Sequence, residues 1–271
     1  MNPYLQVAIE TAREAGAILI EELSQPAEIS YKGDVDLVTQ ADQRSEAVVV
    51  GRLRREFPEH SIVAEEGSGQ ESASRFRWYV DPLDGTTNFA HKFPWFAVSI
   101  GLAEGDDLVC GVVYNPANGE LFTAARGEGA QLNGIPIHVS TVAQMSAGLL
   151  GTGFPAHKRI LNPNIHYYWQ FTLASHGVRR VGAASLDLCS VACGRLDGFW
   201  EFGLKAWDTA AGTLIVREAG GMVTDWAGAP HRTSFPECVA SNGLIHAQMR
   251  ALAAEIAGGA ASLSPLPKTG R

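Results

Sequence analysis

The chain is short of cysteine and of positive charge. Its 271 residues include 4 cysteines, and 21 Lys and Arg residues stand against 29 Asp and Glu, giving a formal net charge of −8. So few cysteines exclude a disulfide scaffold, and Cys189 and Cys193 lack the CxxC spacing of a zinc or redox pair, so we expect four reduced thiols. The deficit of basic residues argues against direct nucleic acid binding, which depends on Lys and Arg neutralising phosphates.

Long apolar runs are also missing. No stretch reaches the roughly 18–20 apolar residues that a membrane-spanning helix needs, so we expect no membrane association. The first residues, MNPYLQVAIETAREAG, lack the basic segment and apolar core of a secretory signal, and we expect a cytoplasmic location. With 46% hydrophobic and 18% charged residues, the composition is that of a globular protein with a core.

Hydrophobic periodicity divides the chain into two parts. In residues 1–145, two amphipathic helices precede a series of strands, and Gly and Asn turns over 95–125 predict an antiparallel meander. In residues 146–257, helices and strands alternate. We therefore expect an N-terminal α+β lobe and a C-terminal α/β lobe that share an interface, followed by a flexible tail over 258–271.

The segment DPLDGTTNF, residues 81–89, carries the most informative pattern. Asp81 and Asp84 stand three residues apart after a predicted strand, and two like charges this close require a cation or protons to neutralise them. Hard divalent cations prefer oxygen ligands, and the lack of a Cys or His cluster favours Mg²⁺ over Zn²⁺. Gly85 and Thr86, at a predicted helix start, would offer backbone amides to an anion. The alternative is a plain surface turn, since Asp, Pro and Gly are common turn residues.

Three further acids become candidate ligands only when they are considered together with this segment. Glu65 and Glu66 follow a predicted strand and, taken alone, are typical of a solvated pair. Asp208, in the run WDTAA, taken alone is typical of a helix cap. Together with Asp81 and Asp84 they form a set of carboxylates suited to a metal and phosphate site.

These motifs resemble the inositol monophosphatase family of lithium-sensitive, Mg²⁺-dependent phosphatases, and its bacterial branch in particular. The long matches are DPLDGTTNFAHKFPWFAVSIG (81–101) and WDTAAGTLIVREAGG (207–221). The shorter ones are DLVTQAD (36–42), VAEEG (63–67) and VGAASLDLC (181–189). Their order and spacing agree with the family from about Leu5 to Ala257.

The resemblance implies a role for each matching residue. The metal ligands would be Glu65, Asp81, the carbonyl of Leu83, Asp84 and Asp208. The catalytic residues would be Glu65, Thr86 and Asp42, which together orient the nucleophilic water. The substrate would be bound by Gly85, Thr86, Gly182, Ala183, Ala184, Glu201 and Asp208, with Glu201 contacting a ring hydroxyl.

The resemblance also implies an architecture and an activity. The expected fold is a layered αβαβα sandwich of the α+β or α/β class with the metal site between two lobes, assembled as a homodimer. The expected activity is Mg²⁺-dependent hydrolysis of inositol-1-phosphate to inositol and phosphate by a metal-activated water. Fructose-1,6-bisphosphate, histidinol phosphate and 3′-phosphoadenosine 5′-phosphate are alternative substrates of the same chemistry. A scaffold role in bacterial ribosomal RNA transcription complexes is a further alternative.

Overall fold

Helices and strands alternate along most of the chain in a computed structural model, which describes residues 2–24, 29–32, 36–154 and 163–259. Apart from residues 258 and 259, the predicted tail over 258–271 lies outside the described residues. The helices within them are α1 (Pro3–Leu23), α2 (Gln40–Glu56), α3 (Thr86–Ala90), α4 (Asn164–Ala174), α5 (Ala184–Ala192), α6 (Ala206–Glu218) and α7 (His246–Ala257). The strands are β1 (Ile29–Lys32), β2 (Asp36–Thr39), β3 (Ser61–Ala64), β4 (Phe76–Asp84), β5 (Ala97–Glu104), β6 (Asp107–Asn115), β7 (Glu120–Ala125), β8 (Gly129–Leu132), β9 (Ile135–Pro136), β10 (Leu149–Thr152), β11 (Gly177–Arg179), β12 (Gly198–Phe202), β13 (Met222–Thr224) and β14 (Glu237–Ser241).

Two large sheets form the body of the molecule. The seven-stranded sheet has the order β3-β4-β5-β6-β7-β8-β9, and all its pairs are antiparallel except β3 with β4. The predicted meander is confirmed in β5, β6 and β7. The five-stranded sheet has the order β11-β10-β12-β14-β13 and mixes parallel with antiparallel pairs. The strands β1 and β2 pair separately.

Helices cover both sheets in five layers. The outer helices α1 and α2 pack on one face of the seven-stranded sheet through an apolar core that includes Leu19, Val49 and Trp78. The helices α5 and α6 fill the space between the two sheets. The helices α4 and α7 cover the far side of the five-stranded sheet around Phe171 and Trp200. This arrangement is the αβαβα sandwich expected from the sequence.

Some element boundaries differ from the predictions. The strand predicted before Asp81 continues to Asp84, because a register shift against β5 between Asp81 and Asp84 accommodates Pro82, which has no amide hydrogen to donate. The meander predicted over 95–125 begins at Ala97, since α3 and the turn after it occupy the preceding residues.

Other sequence expectations concern cysteines and membrane helices. All four cysteines are free thiols, and Cys110, Cys189 and Cys238 are buried. Within the described residues, no helix is long and apolar enough to cross a membrane.

The helix α6 lies unusually close to the seven-stranded sheet at two glycines. A Cβ atom built on Gly111 would lie 2.8 Å from the carbonyl oxygen of Ala211 and 2.9 Å from its Cα. A Cβ atom on Gly101 would lie 2.8 Å from the Cβ of Ala210. Since the obstructing atoms around Gly111 belong to the helix backbone, they cannot move aside independently. The two glycines therefore set the depth at which α6 rests on β5 and β6.

Replacing Gly111 by Ala is expected to destabilise the protein by about 1–3 kcal/mol, because overpacking forces a backbone shift. Urea unfolding followed by circular dichroism measures this change. The matched control is Gly51→Ala in α2, where an added Cβ meets no atom within 4 Å. That substitution is expected to stabilise the helix by about 0.5–1 kcal/mol. A wild-type unfolding midpoint for Gly111→Ala would contradict the close approach.

Candidate active site

The end of β4 carries three of the predicted metal ligands. The register shift against β5 lies between Asp81 and Asp84, and the amide of Leu83 donates to Asp81 Oδ1 at 3.0 Å. Gly85 follows with φ of +91°, a left-handed conformation that favours glycine, and α3 begins at Thr86. The predicted turn into a helix is therefore present, and a bulged strand end holds the two carboxylates.

Thr86 contacts Asp42, as the resemblance implies. The Thr86 hydroxyl lies 3.1 Å from Asp42 Oδ1 and 3.1 Å from the Leu83 carbonyl, either of which can accept its proton. The other oxygen of Asp42 accepts from the Thr39 amide at 2.7 Å and from the Thr39 hydroxyl at 2.6 Å. Asp42 is buried, and burial raises its pKa to about 6 against the opposing effect of these hydrogen bonds. The start of α2 thus fixes a carboxylate beside the Thr86 hydroxyl.

Asp84, at the end of β4, is hydrogen-bonded to the start of α5. Its Oδ2 accepts from the Ser185 amide at 2.7 Å and from the Ser185 hydroxyl at 2.5 Å. Ser185 lies in the first turn of α5, where backbone amides have no partner inside the helix. Burial raises the pKa of Asp84 in spite of these donors.

Asp208 lies inside the first turn of α6, so the reading of Asp208 as an N-cap is wrong by three positions. The N-cap is Lys205, whose amide donates to Asp208 Oδ2 at 2.6 Å. The carboxylate still caps the helix, in the manner of the third residue of a capping box. Burial raises the pKa of Asp208 to about 7, and the charge of Asp84 adds to the shift.

Asp81 lies at the centre of these acids. Its side chain is 2% exposed, and its pKa is raised well above the usual range by burial and then by the charges of Glu65, Asp84 and Asp208. Glu65, Asp84 and Asp208 therefore all lie near enough to Asp81 for their charges to raise its pKa. Within the part of the chain that the structure describes, no three His, Cys, Asp or Glu side chains are arranged as a metal-binding group.

The residues predicted to line the alcohol side lie next to the phosphate motif. A Cβ atom on Gly85 would come within 3.3 Å of the Ala183 Cβ and 3.4 Å of the Gly182 carbonyl. Glu201, on β12, is 8% exposed. Its pKa is raised well above the usual range by burial, by Asp187 and then by Asp208 and Asp84. Glu201 therefore lies near enough to the predicted metal ligands Asp84 and Asp208 for their charges to act on it.

Comparison with known proteins decides the family. The family model described as the inositol monophosphatase family matches residues 1–262. The chain belongs to the inositol monophosphatase family.

Relatives in this family match along most of their length. The inositol-1-monophosphatase of Synechocystis sp. is 46% identical over 260 residues, which cover 94% of this chain and 90% of that protein. The Nus factor SuhB of Escherichia coli K12 is 42% identical over 246 residues, covering 89% and 92%. The solved structure of the inositol monophosphatase from Anabaena (Nostoc) sp. PCC 7120 superposes with a TM-score of 0.85 at 42% identity, covering 93% of this chain and 95% of that one. The family is metal-dependent, and the residues predicted as ligands beside Asp81 offer oxygen atoms, the donors that a hard cation prefers.

Several residues that support this inositol monophosphatase site are missing from the sequence analysis. Glu46, in α2, accepts from the amides of Glu66 at 2.7 Å and Ser68 at 2.9 Å and so holds the turn that carries Glu65. The side-chain nitrogen of Asn88, Nδ2, donates to the backbone carbonyls of Trp95 and Val181, at 2.8 and 2.9 Å. The sequence shows Glu46 only as part of a predicted helix and Asn88 only as part of a matched motif. Both act through backbone groups of other segments, which the sequence alone does not bring together.

Asp187 is also missing from the sequence analysis. It is 1% exposed in the middle of α5, and neither of its carboxylate oxygens has a hydrogen-bond partner among the residues that the structure describes. Burial and the charge of Asp84 raise its pKa well above the usual range, whereas Arg180 opposes the shift. Its place within the matched segment VGAASLDLC is its only signal in the sequence. Asp187 is a further buried acid near enough to Glu201 to raise the pKa of that residue.

The raised pKa of Asp208 predicts the pH dependence of stability. Between 3.8 and about 7, the folded state holds a proton that the unfolded state releases, so folding is favoured as the pH falls through this range. In chelator, Asp208→Asn is expected to melt above wild type at pH 8, because repulsion is removed and an oxygen still faces the Lys205 amide. The difference should shrink towards pH 5. Thermal unfolding at pH 5, 6.5 and 8 measures it.

The control for this experiment is Asp106→Asn, at an exposed ion pair with Arg232. A difference between Asp208→Asn and wild type that is constant with pH would contradict the electrostatic account.

Proposed function

We propose that this chain is a Mg²⁺-dependent phosphomonoesterase that hydrolyses inositol-1-phosphate to inositol and phosphate. The observation that carries the proposal is the contact of Thr86 with Asp42, 3.1 Å apart, beside the buried acids around Asp81. This contact would orient the Thr86 hydroxyl beside a group of buried acids that a cation or protons must neutralise. The 46% identity to an inositol-1-monophosphatase supports the choice of substrate.

Mg²⁺ is proposed because every donor is a hard oxygen atom. The donors are the carboxylates of Glu65, Asp81, Asp84 and Asp208 and the carbonyl of Leu83. Asp81 would be the central ligand of this set, since the charges of the other three acids all raise its pKa. When bound, the cation supplies positive charge that attracts phosphate oxygens and lowers the pKa of water. This charge also allows a chain of net charge −8 to bind an anionic substrate.

The protein's own groups orient the reactants. By donating its proton to Asp42, the Thr86 hydroxyl keeps its lone pairs available to accept a hydrogen bond from the attacking water. Glu65 is proposed to accept the proton that this water loses as its oxygen bonds to phosphorus. The bond from phosphorus to the ester oxygen breaks, and the leaving alkoxide takes a proton from solvent. The Gly85 and Thr86 amides are proposed to donate to the phosphoryl oxygens, where charge develops.

Acids on the alcohol side favour hydroxyl groups over a second phosphate. Glu201 is proposed to accept a hydrogen bond from a ring hydroxyl, beside Gly182, Ala183 and Ala184. A second phosphate, as in fructose-1,6-bisphosphate or 3′-phosphoadenosine 5′-phosphate, would have to enter beside the buried acids Glu201 and Asp187, where burial disfavours any further negative charge. Histidinol phosphate carries an ammonium group that these acids would tolerate, and it is the strongest alternative substrate.

Phosphate release from myo-inositol-1-phosphate tests the proposal. Activity is expected with Mg²⁺ and not with chelator, and Asp84→Asn should lower kcat/KM by about 100-fold or more, because an electrostatic contact to the reacting centre is lost. The control variant is Asp106→Asn, at the exposed ion pair with Arg232. Full activity in chelator or in Asp84→Asn would contradict the reaction type. A hundredfold preference for another phosphate would change the substrate alone.

A role in transcription complexes is the second candidate function. It is supported by the 42% identity to the Nus factor SuhB of Escherichia coli K12. The Asp84→Asn protein separates this role from catalysis in a pull-down with transcription elongation factors. Binding by both wild type and variant would support a non-catalytic role, and binding by neither would count against it.

A homodimer is proposed from an apolar stripe on α4. Ile165, Trp169 and Leu173 are spaced four residues apart on one helix face and are 47%, 42% and 67% exposed. Leu173→Asp is expected to weaken a dimer measured by sedimentation equilibrium. Leu244→Asp, at an exposed leucine outside α4, is the matched control. A wild-type monomer at all protein concentrations would contradict the proposal.

A further inference from the structure

We propose that Gly153 and Asn164 are positioning residues that set substrate specificity by holding the Glu201 carboxylate at the alcohol side of the site. The inference rests on the proposed function, in which Glu201 contacts a hydroxyl of the substrate. It adds two residues that neither the sequence motifs nor the hydrolytic chemistry includes. Neither is proposed to contact phosphate or metal.

Gly153 provides the space in which the Glu201 carboxylate lies. A Cβ atom built on Gly153 would fall 2.0 Å from Glu201 Oε2, 2.2 Å from Oε1 and 2.2 Å from Cδ. Gly153 does not have the left-handed backbone that requires glycine at other positions. The requirement at residue 153 is therefore one of space. Because the obstructed atoms are the end of a flexible side chain, Gly153→Ala is expected to fold and to displace the carboxylate.

Asn164 fixes the strands on either side of this space. Its Oδ1 accepts from Trp200 Nε1 at 2.6 Å, and its Nδ2 donates to the Gly153 carbonyl at 2.6 Å and to Thr152 Oγ1 at 3.0 Å. The Thr152 hydroxyl in turn donates to the Trp200 carbonyl at 2.7 Å. Asn164, Thr152 and Trp200 are fully buried. This closed network locks the end of β10 to β12 at the residue before Glu201.

This hydrogen-bond network matters because the acids around Glu201 disfavour a carboxylate at this position. Glu201 faces the acids Asp187, Asp208 and Asp84, with Arg180 as the opposing charge. A carboxylate in such a field gains by moving towards solvent wherever space allows. A rigid strand pair and a residue without a side chain at 153 keep it where a substrate hydroxyl can donate to it.

The experiment compares kcat/KM for myo-inositol-1-phosphate with that for p-nitrophenyl phosphate, which has no hydroxyl for Glu201 to contact. Gly153→Ala is expected to lower the ratio of the two values about 10-fold or more, the loss typical of one hydrogen bond to a charged group. Glu201→Ala is expected to lower it at least as far. In a double variant that combines Gly153→Ala with Glu201→Ala, the ratio should be no lower than in Glu201→Ala alone, because the effect of Gly153→Ala passes through the Glu201 carboxylate.

Two further variants test the geometry. Gly151→Ala, on the strand β10 that precedes Gly153, is the matched control, since its Cβ would meet the side chains of Leu196 and Phe199 at 2.8 and 3.5 Å and Asp187 Cγ at 4.0 Å instead of Glu201. Its ratio should stay close to that of wild type. Asn164→Asp keeps the acceptor for Trp200 and removes the donors to Thr152 and Gly153, so its ratio should fall. Thermal unfolding of each variant verifies that it is folded.

The outcomes separate this inference from the proposed function. Wild-type activity on inositol-1-phosphate with an unchanged ratio in Gly153→Ala overturns the inference alone. A further loss in the double variant also overturns it, because Gly153 would then act independently of Glu201. A wild type that is inactive on inositol-1-phosphate overturns the proposed function and this inference with it.

Discussion

Mutual repulsion among buried carboxylates is the interaction on which the site depends. Asp81, Asp84 and Asp208 come from a strand end and a helix start, and each is buried deeply enough for its pKa to rise. Isolated charges in such positions would be costly to fold, and backbone and hydroxyl donors offset part of that cost. In the proposed function, a divalent cation bound among these acids would offset the remainder.

The layered fold keeps these acids from separating. Two glycines let α6 rest directly on β5 and β6, which places Asp208 near the end of β4. The two hydrogen bonds from Ser185 to Asp84 connect α5 to the same strand end. Because α5 and α6 also pack against the five-stranded sheet, both sheets share the helices that carry the site. Glu201, on the five-stranded sheet, therefore lies near enough to Asp84 and Asp208 for their charges to raise its pKa. In the proposed function, this interface would hold the catalytic geometry before substrate arrives.

Local patterns in the sequence predict the main elements, and long-range contacts account for what they miss. The periodicity of α1, the meander of β5 to β7 and the helix α6 follow from apolar spacing and turn residues. The short strands β8 to β11 carry too few apolar residues to show a period, and α7 buries only a narrow face. Motif resemblance groups the predicted acids, the Thr86–Asp42 pair and Glu201. It could not show Gly153, Asn164 or Asp187, because their roles arise from atoms brought together only by folding.

Proton release on metal binding tests the central claim most directly. If repulsion holds protons on these acids near neutral pH, Mg²⁺ must displace them when it binds. Calorimetric titration of Mg²⁺ into metal-free protein, in two buffers of different ionisation enthalpy, counts the protons released. The account predicts net release at pH 6.5 that diminishes by pH 8. Binding without proton release at pH 6.5, or with proton uptake, would contradict it.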